Sequence, residues 1–324
     1  MEPFLITEEF GQNEANPHPT DIWHDYSFYG YRLRTCLLLR NFPSLSYAAD
    51  TSADITMRFG DSPSKFENAV VRGPFLQIDH EGNVLLSIAA IGRFWIQGGE
   101  EIIVTAASEA STVEIETILT STVAGIVLHQ RRQLPVHASA VVVDGKAIVF
   151  AGPPAIGKST IAAAFVGRGD AEFLSDDLCS MRFIQDGVLV NTGPTGLCLW
   201  PDVMQFMDID REKQIPVRPG HPKCMVPQLP AAATPLGCIV RMHNIRSGND
   251  ISIRRVHRID ALMPGKEIVH QHNYAHSLGS AVSTFTALTG LAQKSHMVHM
   301  TYPRSLPMLN EVVDSLLQYL EENA

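Results

Sequence analysis

The feature that most constrains this chain is the segment GPPAIGKST at residues 152–160, which we call the phosphate loop. It fits G-x-x-x-x-G-K-[ST], the phosphate-binding loop of nucleoside triphosphatases and kinases. Glycines let the backbone curl so that several N–H groups face one anion, and the helix that follows adds its positive N-terminus. An apolar strand at 146–151 should enter the loop and a helix at 160–166 should leave it. The motif therefore predicts a strand–loop–helix unit that binds a nucleotide.

Each loop residue has an expected task. Lys158 is expected to reach the β- and γ-phosphates, and the Ser159 hydroxyl to ligate Mg²⁺. We also expect Lys158 to be an exposed side chain that carries no core packing. The predicted nucleotide-binding residues are Gly152, Pro153, Pro154, Ala155, Ile156, Gly157, Lys158, Ser159 and Thr160.

An acidic pair ends the next predicted strand. Residues 171–174 form a short apolar segment that leads through Ser175 into Asp176 and Asp177. A strand that ends in carboxylates, one strand after the phosphate loop, is where a Walker-B-type ligand for Mg²⁺ is expected. The structural alternative is a helix cap or a turn. Because adjacent carboxylates repel, one of the two is expected to have a raised pKa and to serve as a proton acceptor.

His137 begins an apolar strand at 137–143, which Asp144-Gly145 joins to the strand that delivers the phosphate loop. This dipeptide is typical of a tight hairpin, so the two strands should pair antiparallel. That pairing is unusual for an all-parallel nucleotide-binding sheet and predicts a mixed sheet. His137 is by default a core histidine. The alternative is that the hairpin brings its ring close to the reacting phosphate.

Two further groups are weaker candidates. His270, His272 and His276 have neither cysteine nor acidic residues beside them, which favours the start of a surface helix over a metal site. A cation that clamps the transferred phosphate is also expected. The sequence does not choose among five basic residues, namely Lys223, Arg241, Arg254, Arg255 and Arg304.

Composition narrows the class of protein. The formal charge is −9 over 324 residues, and no stripe dense in Lys and Arg offsets it, which argues against a nucleic-acid partner. The N-terminus has no basic segment before an apolar one, and the uncharged run 271–293 is polar enough to predict an amphipathic helix, so we expect neither a secretory signal nor a membrane span. Five scattered cysteines favour thiols in a reducing cytoplasm.

The elements predict an α/β (α+β) fold of two domains. Residues 1–133 form an accessory or substrate-docking domain of strands, with a meander at 75–105, closed by a helix at 111–132 that Ser111 and Glu114 cap. Residues 134–324 form the phosphate-loop domain with a mixed sheet. Within it, 214–235 is expected to be a long surface loop. A single helix is expected over 275–292, with its apolar side formed by Leu278, Val282, Phe285 and Leu288.

Residues 134–182 resemble the HPr serine kinase/phosphorylase superfamily, in which a His-containing strand, a hairpin, the phosphate loop and a strand ending in Asp-Asp follow in this order. The fold of that family is similar to the phosphoenolpyruvate carboxykinase core. Two departures are present: Thr160 stands where bifunctional members usually have Glu, and GPTGLCLWPD at 193–202 replaces the E-I-R-G-L-G-I signature. The branch found beside lasso-peptide biosynthesis enzymes resembles this chain better, in LHQRRQLPVHASAV (128–141) and LCLWPD (197–202).

The resemblance implies a cytoplasmic serine kinase that uses ATP and Mg²⁺ and phosphorylates a precursor peptide at a C-terminal Ser. The alternatives are an HPr-type protein kinase, a non-catalytic nucleotide-binding regulator and a small-molecule kinase. Whether the protein forms a homo-oligomer is left open. By the family pattern, Asp176 is the base and Asp177 contacts Mg²⁺ together with Ser159, although the two roles could be exchanged. His137 would orient the base or touch the γ-phosphate. The departures at Thr160 and 193–202 imply that the enzyme does not efficiently remove the phosphate again.

Overall fold

The computed structural model describes residues 22–46, 51–217, 220–245, 248–256 and 268–323. It has a mixed α/β fold, in which each large sheet combines parallel and antiparallel strand pairs. The chain divides into two compact units. The first comprises the described residues up to Pro135 together with Gln271–Thr286. The second comprises the described residues of Val136–His270 and Ala287–Ala324.

The first unit is built on one sheet. Its strands are β1 (His24–Phe28), β2 (Tyr31–Thr35), β3 (Ser44–Leu45), β4 (Ile55–Phe59), β5 (Val71–Arg72), β6 (Leu76–Ile78), β7 (Val84–Ile88), β8 (Gly92–Gln97) and β9 (Glu101–Ala106). They lie in the order β3-β1-β2-β4-β9-β8-β7-β6-β5. The antiparallel run from β6 to β9 confirms the predicted meander.

A helical segment follows this sheet. It consists of α1 (Thr112–Ile118), a π turn (Leu119–Val123) and α2 (Ala124–Gln130). The predicted capping box is present, because the Ser111 hydroxyl accepts the Glu114 N–H while the Glu114 carboxylate accepts the Ser111 N–H. The predicted apolar face is buried, and its members are Ile115, Leu119, Val123, Ile126 and Val127. The helix predicted over 111–132 is thus confirmed, and it contains one π turn.

The second unit contains most of the remaining strands. Strand β10 (Leu134–Val136) ends on Val136, the residue at which this part of the second unit begins. The strands that follow are β11 (Ala138–Val143), β12 (Lys146–Ala151), β13 (Glu172–Ser175), β14 (Cys179–Ile184), β15 (Gly187–Val190), β16 (Leu197–Leu199), β17 (Ile215–Pro216), β18 (Cys224–Val226), β19 (Thr234–Ile245), β20 (Ser252–Arg255) and β21 (His296–Pro303). Its helices include α3 (Lys158–Arg168) and α4 (Pro201–Phe206). After His270 come α5 (His272–Ser277), which belongs to the first unit, and α6 (Ala281–Lys294), which enters the second unit at Ala287. The last helix of the second unit is α7 (Leu309–Glu322).

The main sheet of this unit places the phosphate loop. The hairpin predicted at Asp144-Gly145 is confirmed, since β11 and β12 pair antiparallel and both turn residues have positive φ. On its other side β12 pairs parallel with β19, and β19 pairs parallel with β21. The carboxyl ends of these three parallel strands therefore meet at one edge of the sheet. The phosphate loop leaves β12 at that edge.

Helices α3 and α7 pack on one face of this sheet. Phe150 and Val240 of the strands, Phe165 of α3 and Val313 of α7 are all fully buried in the same core cluster. Burying a side chain of this size is worth about 1.5–3 kcal/mol. This core fixes the start of α3, and with it the end of the phosphate loop.

Two predictions for this half of the chain are wrong. The stretch 214–235 is not a surface loop throughout, because β18 is buried and pairs with both β16 and β17. The helix predicted over 275–292 is broken at Gly279, whose φ of 67° ends α5 in the left-handed conformation. The predicted apolar side is wrong as well, since Val282 and Phe285 are 78% and 66% exposed.

No helix in the described part of the chain is both long and apolar enough to cross a membrane.

Candidate active site

The phosphate loop joins β12 to α3 and has the backbone of an anion cradle. Gly152 and Gly157 have φ of 159° and 109°, and Ala155 has a φ of 62°, which is left-handed for a residue with a side chain. Gly157 is the N-cap of α3, so the loop ends where the backbone N–H groups of the helix point outward. This is the arrangement that the motif predicts.

Two neighbouring strands, β19 and β21, contact the phosphate loop through side-chain hydrogen bonds. Asn244 of β19 and Tyr302 of β21 are partners in the parallel register. The Tyr302 hydroxyl donates to the Ile156 carbonyl at 2.5 Å, and the Asn244 amide donates to the same oxygen at 3.3 Å. A side chain at Gly157 would lie 3.0 Å from the Tyr302 oxygen. The close approach therefore needs glycine at 157.

Lys158 is buried, which corrects the expectation of an exposed loop side chain. It is 7% exposed, because it is the first residue of α3 and its Nζ turns back over the loop. The Nζ donates to the carbonyl oxygens of Gly152 and Pro153, both at 3.1 Å. Burial lowers the pKa of Lys158, while Asp177 and Asp176 act in the opposite direction.

Asp176 is the centre of the hydrogen-bond network. It is 6% exposed and directly follows Ser175, the last residue of β13. Its Oδ1 accepts the hydroxyls of Ser139 at 2.5 Å and Ser159 at 2.9 Å, and its Oδ2 accepts the Cys198 N–H at 2.9 Å. Burial is the largest influence and raises the pKa of Asp176, although these donors oppose it. The hydroxyl of the phosphate loop and the carboxylate after β13 therefore meet directly.

Asp177 faces the other way. Its φ of 66° turns the chain so that its side chain is 55% exposed, in contrast to that of Asp176. His137 lies beside it, with Nδ1 3.0 Å from the Asp177 carbonyl oxygen and 3.5 Å from its carboxylate Oδ1. Since a carbonyl oxygen only accepts, Nδ1 carries the proton and Nε2 keeps its lone pair.

His137 is not a core histidine, because a quarter of its side chain is exposed next to the acidic pair. Burial lowers its pKa, the charge of Lys158 lowers it further, and Asp177 opposes both. The ring is therefore neutral near pH 7. Burial also raises the pKa of the Cys179 and Cys198 thiols, so neither offers a thiolate at this site.

The segment 193–200 lies against the acidic pair through its backbone. A side chain at Gly193 would overlap Ser175, since its Cβ would stand 1.9 Å from the Ser175 hydroxyl. Beyond Gly193, the Cys198 N–H reaches Asp176. This segment therefore meets the buried carboxylate through a main-chain group.

The donor set at the loop suits Mg²⁺. Ser159 and Asp176 present two hard oxygen atoms 2.9 Å apart, next to the anion cradle. Mg²⁺ is usually held by one or two carboxylates together with substrate phosphates and water, without a cage made only of protein groups. No group of three or more His, Cys, Asp or Glu that could hold a metal occurs among the described residues.

The other sequence candidates are spread through the fold. His272 and His276 lie on α5, and His270 precedes it. Arg241 lies on β19, Arg254 and Arg255 lie on β20, and Arg304 follows β21. Lys223 lies just before β18, with its Nζ 5.4 Å from the centroid of the Trp200 ring.

Sequence reasoning missed four of the groups that shape the site: Ser139, the Cys198 N–H, Asn244 and Tyr302. Ser139 had a signal, since it is a lone hydroxyl in an apolar strand. The Cys198 contact had none, because every residue except proline carries a backbone N–H.

No model of a known protein family matches the chain. No curated protein matches it either. Among solved structures the chain is similar to the Hpr(Ser) kinase/phosphatase from Coxiella burnetii, with 12% sequence identity and a TM-score of 0.31. That match covers 58% of this chain and 93% of the other. A likeness of this size is too weak to support an argument about function.

Proposed function

We propose that this protein is an ATP-dependent kinase that transfers the γ-phosphate to a serine hydroxyl of a peptide, with the C-terminal Ser of a lasso precursor as the acceptor. The observation that carries the proposal is the 2.9 Å contact between the Ser159 hydroxyl and Asp176, with Asp177 and His137 beside it. Phosphoryl transfer needs a cradle for phosphates, a Mg²⁺ ligand pair and a base. The phosphate loop would form the cradle, Ser159 and Asp176 would hold Mg²⁺, and Asp177 would act as the base.

The contacts favour the exchanged roles of the two aspartates, with Asp176 as the Mg²⁺ ligand and Asp177 as the base. Both oxygens of Asp176 are engaged by three donors, and one of these is the loop hydroxyl. Asp176 and Ser159 would therefore hold Mg²⁺, which when bound neutralises the developing charge on the phosphates. Asp177 has an exposed carboxylate with no such engagement, so it is the better base.

In the proposed reaction the serine oxygen attacks the γ-phosphorus while Asp177 takes the hydroxyl proton, and the bond to ADP breaks. His137 Nδ1–H holds the backbone at Asp177, which fixes the direction of the carboxylate. A general base contributes about 10²–10⁴-fold to the rate, and alignment and charge neutralisation supply most of the rest.

The test compares Asp177→Asn with Asp176→Asn, using ATP, Mg²⁺ and a synthetic peptide that ends in Ser. We expect D177N to lower turnover by about 10²–10⁴-fold with nearly unchanged ATP affinity, because only the base is lost. We expect D176N to raise the Mg²⁺ requirement at least about tenfold, since even outer-shell partners of a metal are worth that much. The same peptide ending in Ala is the control for the acceptor.

A wild-type protein that binds ATP but phosphorylates neither the peptide nor HPr would contradict the kinase proposal and support the nucleotide-binding regulator. Turnover that D176N and D177N both leave unchanged would show that the acidic pair is a turn with no chemical role.

A further inference from the structure

The small sheet of β16, β17 and β18 carries a cation, Lys223, at the end of its ladder. Leu199 and Cys224 are opposite each other in the antiparallel register of β16 and β18. The next residues along, Trp200 and Lys223, therefore face each other across the end of the ladder. The Lys223 Nζ lies 5.4 Å from the centroid of the Trp200 ring, within the range of a cation–π contact.

This pair is tied to the acidic centre. The Cys198 N–H donates to Asp176, which fixes β16 and hence Trp200 two residues further on. Asp176 in turn accepts the hydroxyl of Ser159, the residue next to Lys158. The contacts that lead from Lys223 through Trp200, β16 and Asp176 therefore end at the phosphate loop.

Lys223 has no acidic partner among the described residues, where none of the ion pairs includes it. Bringing two cations together without a counterion is unfavourable, and an anion bound between them reverses the sign of that interaction. The Trp200 ring is 43% exposed, so its contact with the ammonium does not bury the cation away from a ligand.

We propose that Lys223 binds the terminal phosphate of ATP opposite Lys158, and that the Trp200 ring positions the Lys223 side chain. This inference rests on the proposed function, because it assigns one more residue to the same nucleotide. Its specific consequence is discrimination between ATP and ADP, since ADP lacks the terminal phosphate.

The test measures ATP and ADP affinity, each with Mg²⁺, for the wild type and for Lys223→Met by calorimetry. A charge-assisted hydrogen bond is worth about 1.5–3 kcal/mol, so K223M should weaken ATP binding by about 10- to 100-fold and ADP binding by less than about twofold. Lys213→Met is the matched control, because Lys213 pairs with Asp210 and its loss changes the net charge equally. It should leave both affinities unchanged.

Trp200 gives an independent readout as one of three tryptophans in the chain. ATP should change the tryptophan fluorescence more than ADP does, and Trp200→Phe should remove that difference. If K223M lowers the melting temperature below the assay temperature, Lys223→Gln is used in its place.

An unchanged ratio of ATP to ADP affinity in K223M would overturn the assignment of Lys223 and leave the kinase proposal intact. A wild-type protein that binds neither nucleotide would overturn both.

Discussion

At the residue scale, the sequence motif identifies the chemical groups of the site but not which role each of them has. Lys158, Ser159 and the acidic pair follow from spacing alone. The sequence leaves the two aspartates equivalent, because their difference lies in the turn after β13, where Asp177 has a φ of 66°. That turn buries one carboxylate and exposes the other. Burial of Lys158 was missed because motif spacing carries no information on how a long side chain folds back.

The Ser139 hydroxyl should set the pH range of Mg²⁺ binding. Burial raises the pKa of Asp176, and Ser139 is the main donor that opposes this. Since Mg²⁺ binds the carboxylate and competes with the proton, its affinity should increase with pH until Asp176 is ionised. Ser139→Ala should extend that increase to higher pH, whereas Ser139→Thr, which keeps a hydroxyl, should not. Mg²⁺ titrations of ATP binding between pH 6 and 8.5 measure the shift, and identical curves for S139A and wild type would contradict it.

Glu116 should make the first unit less stable as pH rises towards neutrality. The carboxylate is 1% exposed, and its Oε1 accepts the N–H groups of Arg40 and Asn41 at 2.7 and 2.6 Å. Burial raises its pKa from 4.5 to about 7. Below pH 4.5 both the folded and unfolded states are protonated. Between 4.5 and 7 the unfolded state loses its proton first, so the free energy of unfolding falls by about 3 kcal/mol.

Glu116→Gln should remove this dependence, because its amide oxygen can still accept both N–H groups without a charge. Denaturant unfolding of the full chain at pH 5 and pH 8 tests this. E116Q should lose less stability than the wild type between these two values. Glu116→Leu, which offers no acceptor, should be less stable than E116Q at both. Parallel losses in E116Q and the wild type would contradict the raised pKa.

At the scale of elements, local signals were predictable and long-range pairing was not. The Asp144-Gly145 hairpin, the capping box at Ser111 and the strand–loop–helix unit follow from neighbours in sequence. The sheet of β16, β17 and β18 does not follow from them. Its proline-rich connection has the sequence of a loop, and its strands pair with segments that are distant in sequence. The break at Gly279 was likewise hidden by the continuous run of helix-forming residues around it.

The segment 193–200 bears on the direction of the reaction. Its Cys198 N–H meets the buried Asp176, and the residue that follows Ser159 in α3 is Thr160, so neither place adds a charged side chain to the site. We expect phosphorylation without efficient reversal. Incubating purified phosphopeptide with enzyme, Mg²⁺ and millimolar inorganic phosphate measures this. Release of unmodified peptide as fast as the forward reaction would contradict this expectation.

At the scale of the whole molecule, the core cluster beneath the phosphate loop lies within one of the two compact units, and the candidate nucleotide site belongs to that unit. The sequence predicts two domains from the change in pattern near residue 134. The sequence pattern does not indicate that residues 271–286 group with the first unit. This grouping depends on contacts between residues that are distant in sequence.

Mg²⁺-ATP should therefore stabilise one unit alone. At 100 times its dissociation constant a ligand adds about 2.7 kcal/mol, which raises the melting temperature of a unit of this size by roughly 5–10 °C. Calorimetry should show two transitions, of which ATP shifts one. Lys158→Met, which keeps the buried stem of the side chain, should abolish the shift. A single transition that moves as a whole would contradict this independence.

The bond from the Cys198 N–H to Asp176 has an evolutionary consequence. Because the donor belongs to the main chain, any residue except proline at 198 preserves it. Mutations can accumulate at this position while the acid keeps its partner, so descendants of one ancestor can share the contact without sharing the residue. Selection on the bond itself should act only against proline, while burial of the side chain at 198 should favour small uncharged residues. A survey of natural variants of this chain should find several such residues there and no proline.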